Sequence, residues 1–450
     1  MKRAPRKKIF LTGTTGNWGQ YILREFARRA DRFDVLALVP TAKDTRIIRQ
    51  FEGMDNLAVA YGTSPTTTPS LHPSPAQTTS STPVALVSPF ADDHAELTHK
   101  VNVGGARNII QAVKSHPDPD AVRVVTIGTV AQSGDRSPPH HWGLVGYPLR
   151  VSHYDEYSQS KVIAERELID YGLKNFVSLH QTGIFHPGIL EIRGASMTHT
   201  PLAGVLEWVS VEDASRLLAD ICEEGVPEEF WGGTYNISGG DGWRLTNWAL
   251  EVQMTQAMGV KDPRKMVRPE LVRRPELPRT LVHRLGPAPR TRADPPRHHA
   301  DALARAVAAA PASVRMAGKI PAPLTMSWID SNDVTKINAY FGSRHEWENI
   351  GTGPRSGHPG QAPKEQFLDH SYHEAKSPGA WTVKDMATDD CVTPLDWACA
   401  EGHTFAGSPR LILTAGHWCP ECIKTPANYA RQTAANSFLA QPETPTSVTA

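Results

Sequence analysis

The sequence predicts an α/β fold, a doubly wound parallel sheet over the first 260 residues. Apolar runs of strand length alternate with stretches of helical periodicity, in the order strand 8–11, helix 18–32, strand 35–39, helix 93–115, strand 122–127, helix 156–171 and strand 176–179. Strands that alternate with helices pair in parallel, so helices are expected on both faces of the sheet. A glycine-rich turn directly after the first strand supports the same fold class.

The overall composition excludes several classes of protein. The chain has 450 residues with 47 Lys+Arg and 47 Asp+Glu, and this zero net charge argues against binding of nucleic acid or anionic membrane over the whole surface. No apolar run reaches the length of a membrane span, and the apolar stretch after the basic N-terminus is too short for a signal peptide. With five cysteines in 450 residues, the sequence favours a cytoplasmic protein without a disulfide framework.

Two stretches break the alternation of strands and helices. Ser, Thr and Pro make up 17 of the 21 residues from 63 to 83, where an α/β fold needs its third and fourth strands. Residues 263–300 are rich in Arg and Pro, which excludes helix and central strand. Because neither composition offsets the entropy of ordering, both stretches are predicted to be poorly ordered. Residues 263–300 are interpreted as a solvated linker, with a nucleic-acid contact as the alternative. Translation in a shifted reading frame is a further interpretation of both stretches.

The glycine-rich turn has the TGxxGxxG pattern and lies between a strand and a helix. Glycines permit a tight turn and let a pyrophosphate approach the backbone, while the helix N-terminus offers free N–H groups to the anion. The sequence therefore predicts a dinucleotide site of the Rossmann type. Its candidate cofactor-binding residues are Gly13, Thr14, Thr15, Gly16, Asn17, Trp18 and Gly19.

The end of the second strand bears on the choice between NAD and NADP. A carboxylate there would bind a ribose 2′-hydroxyl and select NAD, but this chain has Val39-Pro40-Thr41. Lys43 and Arg46 follow shortly and are candidates to meet a 2′-phosphate. A solvated helix face is an equally good interpretation of these two cations. The pattern leans toward NADP, with NAD as the alternative.

A tyrosine and a lysine lie four residues apart on a predicted helix. Tyr157 and Lys161 share one face at this spacing. A phenol with a pKa near ~10 needs help to exchange a proton at neutral pH, and a nearby ammonium favours the phenolate. The pair is therefore a candidate for acid–base chemistry.

Further segments follow in an order that resembles the extended short-chain dehydrogenases/reductases, also called the NAD-dependent epimerase/dehydratase family. The resemblance covers about residues 7–260. It rests on the glycine turn, the YxxxK element, Val101-Asn102-Val103-Gly104-Gly105-Ala106-Arg107-Asn108, Val124-Val125-Thr126-Ile127-Gly128-Thr129, Trp208-Val209-Ser210-Val211-Glu212-Asp213-Ala214 and Tyr235-Asn236-Ile237-Ser238-Gly239-Gly240.

The resemblance implies roles for four residues. Tyr157 would be the general acid/base, and Lys161 would lower its pKa and bind the nicotinamide ribose. Thr129 would hydrogen-bond the reacting oxygen, and Asn102 would help to hold the active-site helix or a water molecule. The family implies a small-molecule or nucleotide-sugar substrate, bound by a lobe at about residues 186–260.

The chain also departs from the family pattern. The Gly-Asp-x-x-Asp and HxAA-like elements of the family would fall between residues 62 and 88, in the Ser/Thr/Pro stretch. His180 stands where the family commonly has arginine, and His186 with Pro187 replaces the usual Gly-Pro. We interpret His186 as a pocket-lining or structural residue.

A cluster of cysteine and histidine near the C-terminus predicts a structural zinc site. Cys399, His403, Cys419 and Cys422 form the pattern C-x3-H-x15-C-x2-C, and His417 is a spare that could replace His403. The segment resembles small zinc-ribbon or treble-clef modules, with Trp397, Phe405 and Trp418 as its core. We expect zinc to supply the folding energy of this module, independently of the first domain.

These interpretations divide the chain into an NAD(P)-binding domain at 1–260 with a low-complexity insert at 63–83, an Arg/Pro-rich linker at 261–300, a helical or irregular extension at 301–390, a zinc-ribbon-like module at 391–430 and a tail at 431–450. The leading functional hypothesis is an NAD(P)-dependent oxidoreductase or epimerase/dehydratase. The alternative is a catalytically impaired dinucleotide-binding scaffold whose zinc module binds a protein or nucleic acid. A homodimer remains open, and no membrane association is expected.

Overall fold

A computed structural model describes the residues that position the candidate site. They are residues 6–41, 45–51, 53–62, 78–82, 85–87, 90–133, 142–143, 145–146, 149, 155–171, 173–191, 205–257, 259, 281–282, 299–311, 373–375, 392–399, 403–417 and 419–421. The sequence also predicts a helix at 328–340, and this segment lies outside the described residues.

The secondary structure follows the predicted alternation. The helices are α1 (Asn17–Arg28), α2 (Thr45–Ile48), α3 (Phe90–Asp93), α4 (Ala95–Lys114), α5 (Glu156–Asp170), α6 (Val211–Ile221), α7 (Asn247–Ala257) and α8 (His299–Ala309). The strands are β1 (Lys7–Leu11), β2 (Phe33–Val39), β3 (Leu57–Tyr61), β4 (Thr78–Thr82), β5 (Arg123–Thr129), β6 (Trp142–Gly143), β7 (Phe176–Gln181), β8 (Ile184–Phe185), β9 (Val205–Glu207), β10 (Val209–Ser210), β11 (Gly233–Ile237), β12 (Arg244–Thr246), β13 (Leu281–Val282), β14 (His373–Ala375), β15 (Leu395–Cys399) and β16 (Thr404–Gly407).

Seven strands form one parallel sheet in the order β11-β7-β5-β4-β1-β2-β3. Every pairing in this sheet is parallel. The order reverses direction between β1 and β4, which is the switch point where open α/β sheets bind ligands at the carboxyl ends of their strands. The predicted doubly wound, Rossmann-type fold is confirmed.

The third and fourth strands are present, which corrects the expectation that the Ser/Thr/Pro stretch removes them. β3 lies before the stretch, at Leu57–Tyr61, and β4 consists of the five residues Thr78–Thr82 inside it. β4 pairs with β1 on one side and β5 on the other. Both neighbours satisfy its backbone groups, and β-branched threonine is favoured in strands, so a polar segment can take a central position.

Two pairs of helices cover the faces of the sheet. On one face α1 packs with α6 around a core that includes Phe26, Phe33 and Leu218. On the other face α4 packs with α5, where Ile110 and Phe176 are buried. The candidate catalytic side chains Tyr157 and Lys161 lie on the buried face of α5.

A smaller set of elements extends from the carboxyl edge of the sheet. β9 pairs with β12 in antiparallel fashion, and β8 pairs with β10 in parallel fashion. α8 begins at His299 and contributes Ala302 and Ala306 to a core with Phe185 and Trp243, which Ala310 joins just after the helix. In the Arg/Pro-rich stretch, Leu281–Val282 forms β13 and pairs with β6.

The C-terminal ribbon, defined here as the described residues 392–399, 403–417 and 419–421, packs directly on the first domain. β15 and β16 pair in antiparallel fashion, and a π-helical turn follows at Arg410–Thr414. Trp397, Leu411 and Ile412 are buried in the same core as α4 and α5. The ribbon thus shares its apolar core with the first domain, because a segment this short gains apolar burial only against a larger neighbour.

Within the described residues, no helix has both the length and the apolar character needed to cross a membrane.

Candidate active site

The glycine turn has the geometry of an anion cradle. Gly13 has a φ of 68°, which favours glycine. A Cβ on Gly19 would lie 2.0 Å from the carbonyl oxygen of Gly13, so the start of α1 touches the turn backbone to backbone. The helix follows Gly16, and no side chain caps it. The N–H groups of its first turn therefore point toward the space at the switch point.

The turn is anchored to the second strand by a buried hydroxyl. Thr14 Oγ1 donates a hydrogen bond of 2.9 Å to the carbonyl oxygen of Leu38 near the end of β2. Val39 ends that strand, and Pro40 and Thr41 follow without a carboxylate. Lys43 and the side chain of Arg46 lie outside the described residues.

The structure brings Tyr157 and Thr129 together. Tyr157 is in the first turn of α5, Thr129 ends β5, and their hydroxyl groups are hydrogen-bonded. Burial raises the pKa of Tyr157 to about 12, and the bond to Thr129 opposes this rise. The charge of Asp155 adds to the rise, and Lys161, which was expected to lower this pKa, is not among its causes. The phenol is therefore protonated at neutral pH.

Lys161 is buried one turn further along α5. Its Nζ donates a 2.7 Å hydrogen bond to the carbonyl oxygen of Ile127 and lies 5.9 Å from the centre of the Tyr157 ring. Burial lowers the pKa of Lys161 to about 8, and the charge of Glu165 opposes this shift. Lys161 also lines a small cavity with Asn102 and with Thr12, the first residue of the glycine turn.

Asn102 connects α4 to α5 and to the segment after β4. Its Nδ2 donates to Ser160 Oγ at 2.9 Å and to the carbonyl oxygen of Leu86 at 3.2 Å. Its Oδ1 accepts a 2.9 Å hydrogen bond from the Leu86 amide. Ser160 directly precedes Lys161, so the hydrogen bond from Asn102 fixes the position of α5 along α4.

Sequence reasoning missed a buried carboxylate below Lys161. Glu165 is four residues after Lys161 and eight after Tyr157, so all three lie on one face of α5. Glu165 Oε2 accepts from Ser178 Oγ and His180 Nε2, both at 2.5 Å, and Oε1 accepts from His417 Nε2 at 2.6 Å. Burial raises the pKa of Glu165, but the charges and hydrogen bonds of His180, and then of His417, lower it more. The pKa of Glu165 is therefore well below its usual value.

A signal for Glu165 was present in the sequence. The four-residue spacing of Tyr157, Lys161 and Glu165 is evident from the sequence, and His180 stands where the resembling family commonly has arginine. The contact with His417 was not visible, because 252 positions separate it from Glu165.

The elements beyond the carboxyl edge of the sheet contain aromatic residues. Phe185 is in edge contact with Trp208, with ring centres 5.9 Å apart, and Trp243 lies beyond. The imidazole of His186 lies 3.3 Å from the Cβ position of Gly188, and the amide of Asn17 is 3.8 Å from the same position. His186 is therefore beside the glycine turn, at the edge of the lobe.

The predicted zinc ligands are partly described. His403 Nδ1 and Cys419 Sγ are 3.6 Å apart. Cys422 and the side chain of Cys399 lie outside the described residues, and no group of three or more ligand-type side chains gathers within the described ones. His417, which the sequence offers as a spare ligand, donates its Nε2 hydrogen to Glu165.

Comparison with known proteins gives a local sequence similarity and a general structural one. No protein-family model matches the chain. The short-chain dehydrogenase/reductase family 42E member 1 of Bos taurus, like that of Macaca fascicularis, is 32% identical over 106 residues, which cover 20% of this chain and 25% of the relative. The chain thus spans about a quarter of the length of the curated relatives it matches.

Among solved structures, the chain is similar to a dTDP-glucose 4,6-dehydratase from Bacillus anthracis in complex with NAD, with a TM-score of 0.47 and 14% identity over 67% of this chain and 96% of the other. It is also similar to the Bordetella bronchiseptica enzyme WbmH in complex with NAD+, with a TM-score of 0.44 and 20% identity over 69% and 99% of the two chains.

Proposed function

We propose that this protein is an NAD(P)-dependent oxidoreductase or epimerase/dehydratase of the extended short-chain dehydrogenase/reductase type, acting on a hydroxyl or keto group of a small molecule or nucleotide sugar. One observation carries the proposal: the hydroxyl pair of Tyr157 and Thr129 lies at the carboxyl edge of the sheet, with Lys161 on the same helix face. The local identity to a short-chain dehydrogenase/reductase supports it.

In this proposal, Tyr157 exchanges a proton with the reacting oxygen of the substrate. Burial keeps the phenol protonated, with its pKa at about 12, so it is ready to donate to an oxygen that gains negative charge. Thr129 is hydrogen-bonded to the phenol, and its single hydroxyl would turn to the reacting oxygen when a substrate binds. A bound nicotinamide dinucleotide would supply hydride transfer.

Lys161 and Asn102 set the environment of that proton transfer. The ammonium of Lys161 is held by the carbonyl oxygen of Ile127, and in this proposal it bonds the nicotinamide ribose when a dinucleotide binds. Asn102 fixes α5 through Ser160, and thereby the position of Tyr157. Both residues act through geometry and charge, since neither holds the transferred proton.

The residues around the glycine turn fit a dinucleotide. The close contact of Gly19 with Gly13 leaves room for a pyrophosphate, and the uncapped start of α1 offers N–H donors. We propose a preference for NADP over NAD, since β2 ends without a carboxylate and Lys43 follows.

We also propose that the segment from 399 to 422 holds one structural zinc through Cys399, His403, Cys419 and Cys422. Zinc at about 2.3 Å from sulfur and about 2.0–2.1 Å from nitrogen places two tetrahedral ligands about 3.6 Å apart. The measured separation of Cys419 Sγ and His403 Nδ1, 3.6 Å, fits such a pair.

The alternative of an impaired dinucleotide-binding scaffold loses its main argument. It rested on missing third and fourth strands, and both strands are present. Its second part, a protein or nucleic acid bound by the zinc module, needs a free surface on the ribbon, while Trp397 and Leu411 are buried against the first domain.

Titration of the purified protein with NADH and NADPH, followed by nicotinamide fluorescence, tests the proposal. We expect saturable binding of both, with NADPH bound at least as tightly as NADH. Gly19→Ala should weaken both, because its Cβ would enter the turn. Absence of binding by either dinucleotide would contradict the proposed enzyme, and a clear preference for NADH would contradict the NADP assignment alone.

A further inference from the structure

The carboxylate of Glu165 is enclosed between the catalytic helix, the sheet and the C-terminal ribbon. Its side chain is 2% exposed, that of His180 is 2% exposed, and that of His417 is 1% exposed. A carboxylate without solvent is stable only when both oxygens accept hydrogen bonds. Here Ser178 and His180 of the sheet donate hydrogen bonds to Oε2, and His417 of the ribbon donates one to Oε1.

His180 explains why a second donor is needed. It bonds only Oε2, through its Nε2. An arginine at this position of β7 could serve both oxygens with its forked guanidinium. Because one imidazole nitrogen reaches one oxygen, Oε1 depends on a donor from another segment.

The ribbon forms polar contacts with α5 along the part of the helix from Glu165 to Asp170. Arg166 Nη2 donates to the carbonyl oxygen of Ala406 at 2.9 Å, and the carboxylate of Asp170 accepts a hydrogen bond from the backbone of Ser408. The bond from His417 to Glu165 is the contact nearest to Lys161, one helical turn away. The charge of Glu165 favours the ammonium form of Lys161, so this contact also has an electrostatic effect on the site.

We infer that His417 is a positioning residue of the active site, and that docking of the C-terminal ribbon through the His417–Glu165 hydrogen bond holds α5 and Lys161 in the arrangement that binds the dinucleotide. This inference rests on the proposed function. The ribbon is thereby a working part of the enzyme, and a chain that ends before it lacks one donor to Glu165.

Three variants of the full-length protein test the inference. His417→Ala removes the donor, His417→Gln keeps an N–H donor of similar reach, and Thr404→Ala changes an exposed side chain of the same ribbon as a control. The first measurement is amide hydrogen exchange of the peptide covering α5, without added dinucleotide. The second is titration with NADPH.

We expect exchange of α5 in His417→Ala to be about ten- to a hundredfold faster than in the wild type, from loss of one buried hydrogen bond to a charged group. The affinity for NADPH should fall at least about tenfold, while His417→Gln and Thr404→Ala stay within about threefold.

Three outcomes would overturn the inference: exchange and affinity of His417→Ala within twofold of the wild type, faster exchange with unchanged affinity, or equal losses in His417→Gln and His417→Ala. The last would indicate packing instead of a hydrogen bond. A wild-type protein that binds neither dinucleotide would defeat the proposed function, and the exchange rates would then still decide whether the ribbon supports α5.

Discussion

Replacing Gly19 with alanine probes the contact on which the proposed dinucleotide site depends. The new Cβ would lie 2.0 Å from the Gly13 carbonyl oxygen, 2.7 Å from its carbon and 2.8 Å from the Cα of Thr14. All three atoms are backbone, and real Cβ atoms keep at least 3.0 Å. The start of α1 and the turn must therefore separate by about 1 Å, since no flexible side chain can yield.

Two opposing contributions set the effect on stability. Alanine is favoured over glycine in a helix by about 1 kcal/mol, while overpacking costs about 1–3 kcal/mol. We expect a net loss of up to about 2 kcal/mol in the free energy of unfolding, measured in urea. Displacing one N–H donor from the pyrophosphate costs a further ~1.5–3 kcal/mol of binding, or about ten- to a hundredfold in affinity for NADH and NADPH.

Gly16→Ala is the matched comparison in the same turn. Its Cβ would lie 3.3 Å from the Gly13 carbonyl oxygen, a distance that a shift of a few tenths of an ångström relieves. Its losses should therefore be clearly smaller. If Gly19→Ala kept wild-type stability and bound both dinucleotides within twofold of the wild type, the assignment of this turn to the pyrophosphate would be wrong.

Three other changes test separate parts of the structure. Tyr157→Phe should lower turnover about 100- to 10,000-fold with cofactor affinity kept, while the exposed Tyr171→Phe leaves both unchanged, in steady-state and binding assays. Burial raises the pKa of Glu251 from 4.5 to about 7, so stability falls as pH rises from about 4.5 to 7; Glu251→Gln should remove about 1–3 kcal/mol of that loss between pH 5 and 8, measured by urea unfolding. Cys419→Ser should lose the one zinc found by elemental analysis in the wild type; metal-free wild-type protein would refute the site.

Much of the first domain could be predicted because its signals are local. The strand, turn and helix around Gly13 are adjacent in sequence, and the four-residue spacing of Tyr157 and Lys161 fixes their common face. The meeting of Tyr157 with Thr129 followed from motif order, since the carboxyl end of β5 lies beside the start of α5. Such features depend on helix geometry and strand order more than on long-range packing.

β4 could not be predicted because its stability comes from its neighbours. The segment Thr78–Thr82 has no apolar side chain, and its composition alone indicates a solvated loop. Its place between β1 and β5 provides ladder partners on both sides. Composition measures what a segment can bury, whereas a central strand is also held by the backbone of adjacent strands.

The packing of the ribbon on the first domain could not be predicted from the sequence either. It changes the expected effect of metal removal on the stability of that domain. Trp397 was assigned to the small core of an independent module, yet it is buried with Leu411 and Ile412 against α4 and α5. A shared core couples the stabilities of the two parts, because unfolding either one exposes apolar surface on the other. Chelation should therefore lower the unfolding midpoint of the nucleotide-binding domain and raise exchange in α5. An unchanged midpoint would show that the ribbon folds and docks without metal, or that its docking adds nothing to the stability of the first domain.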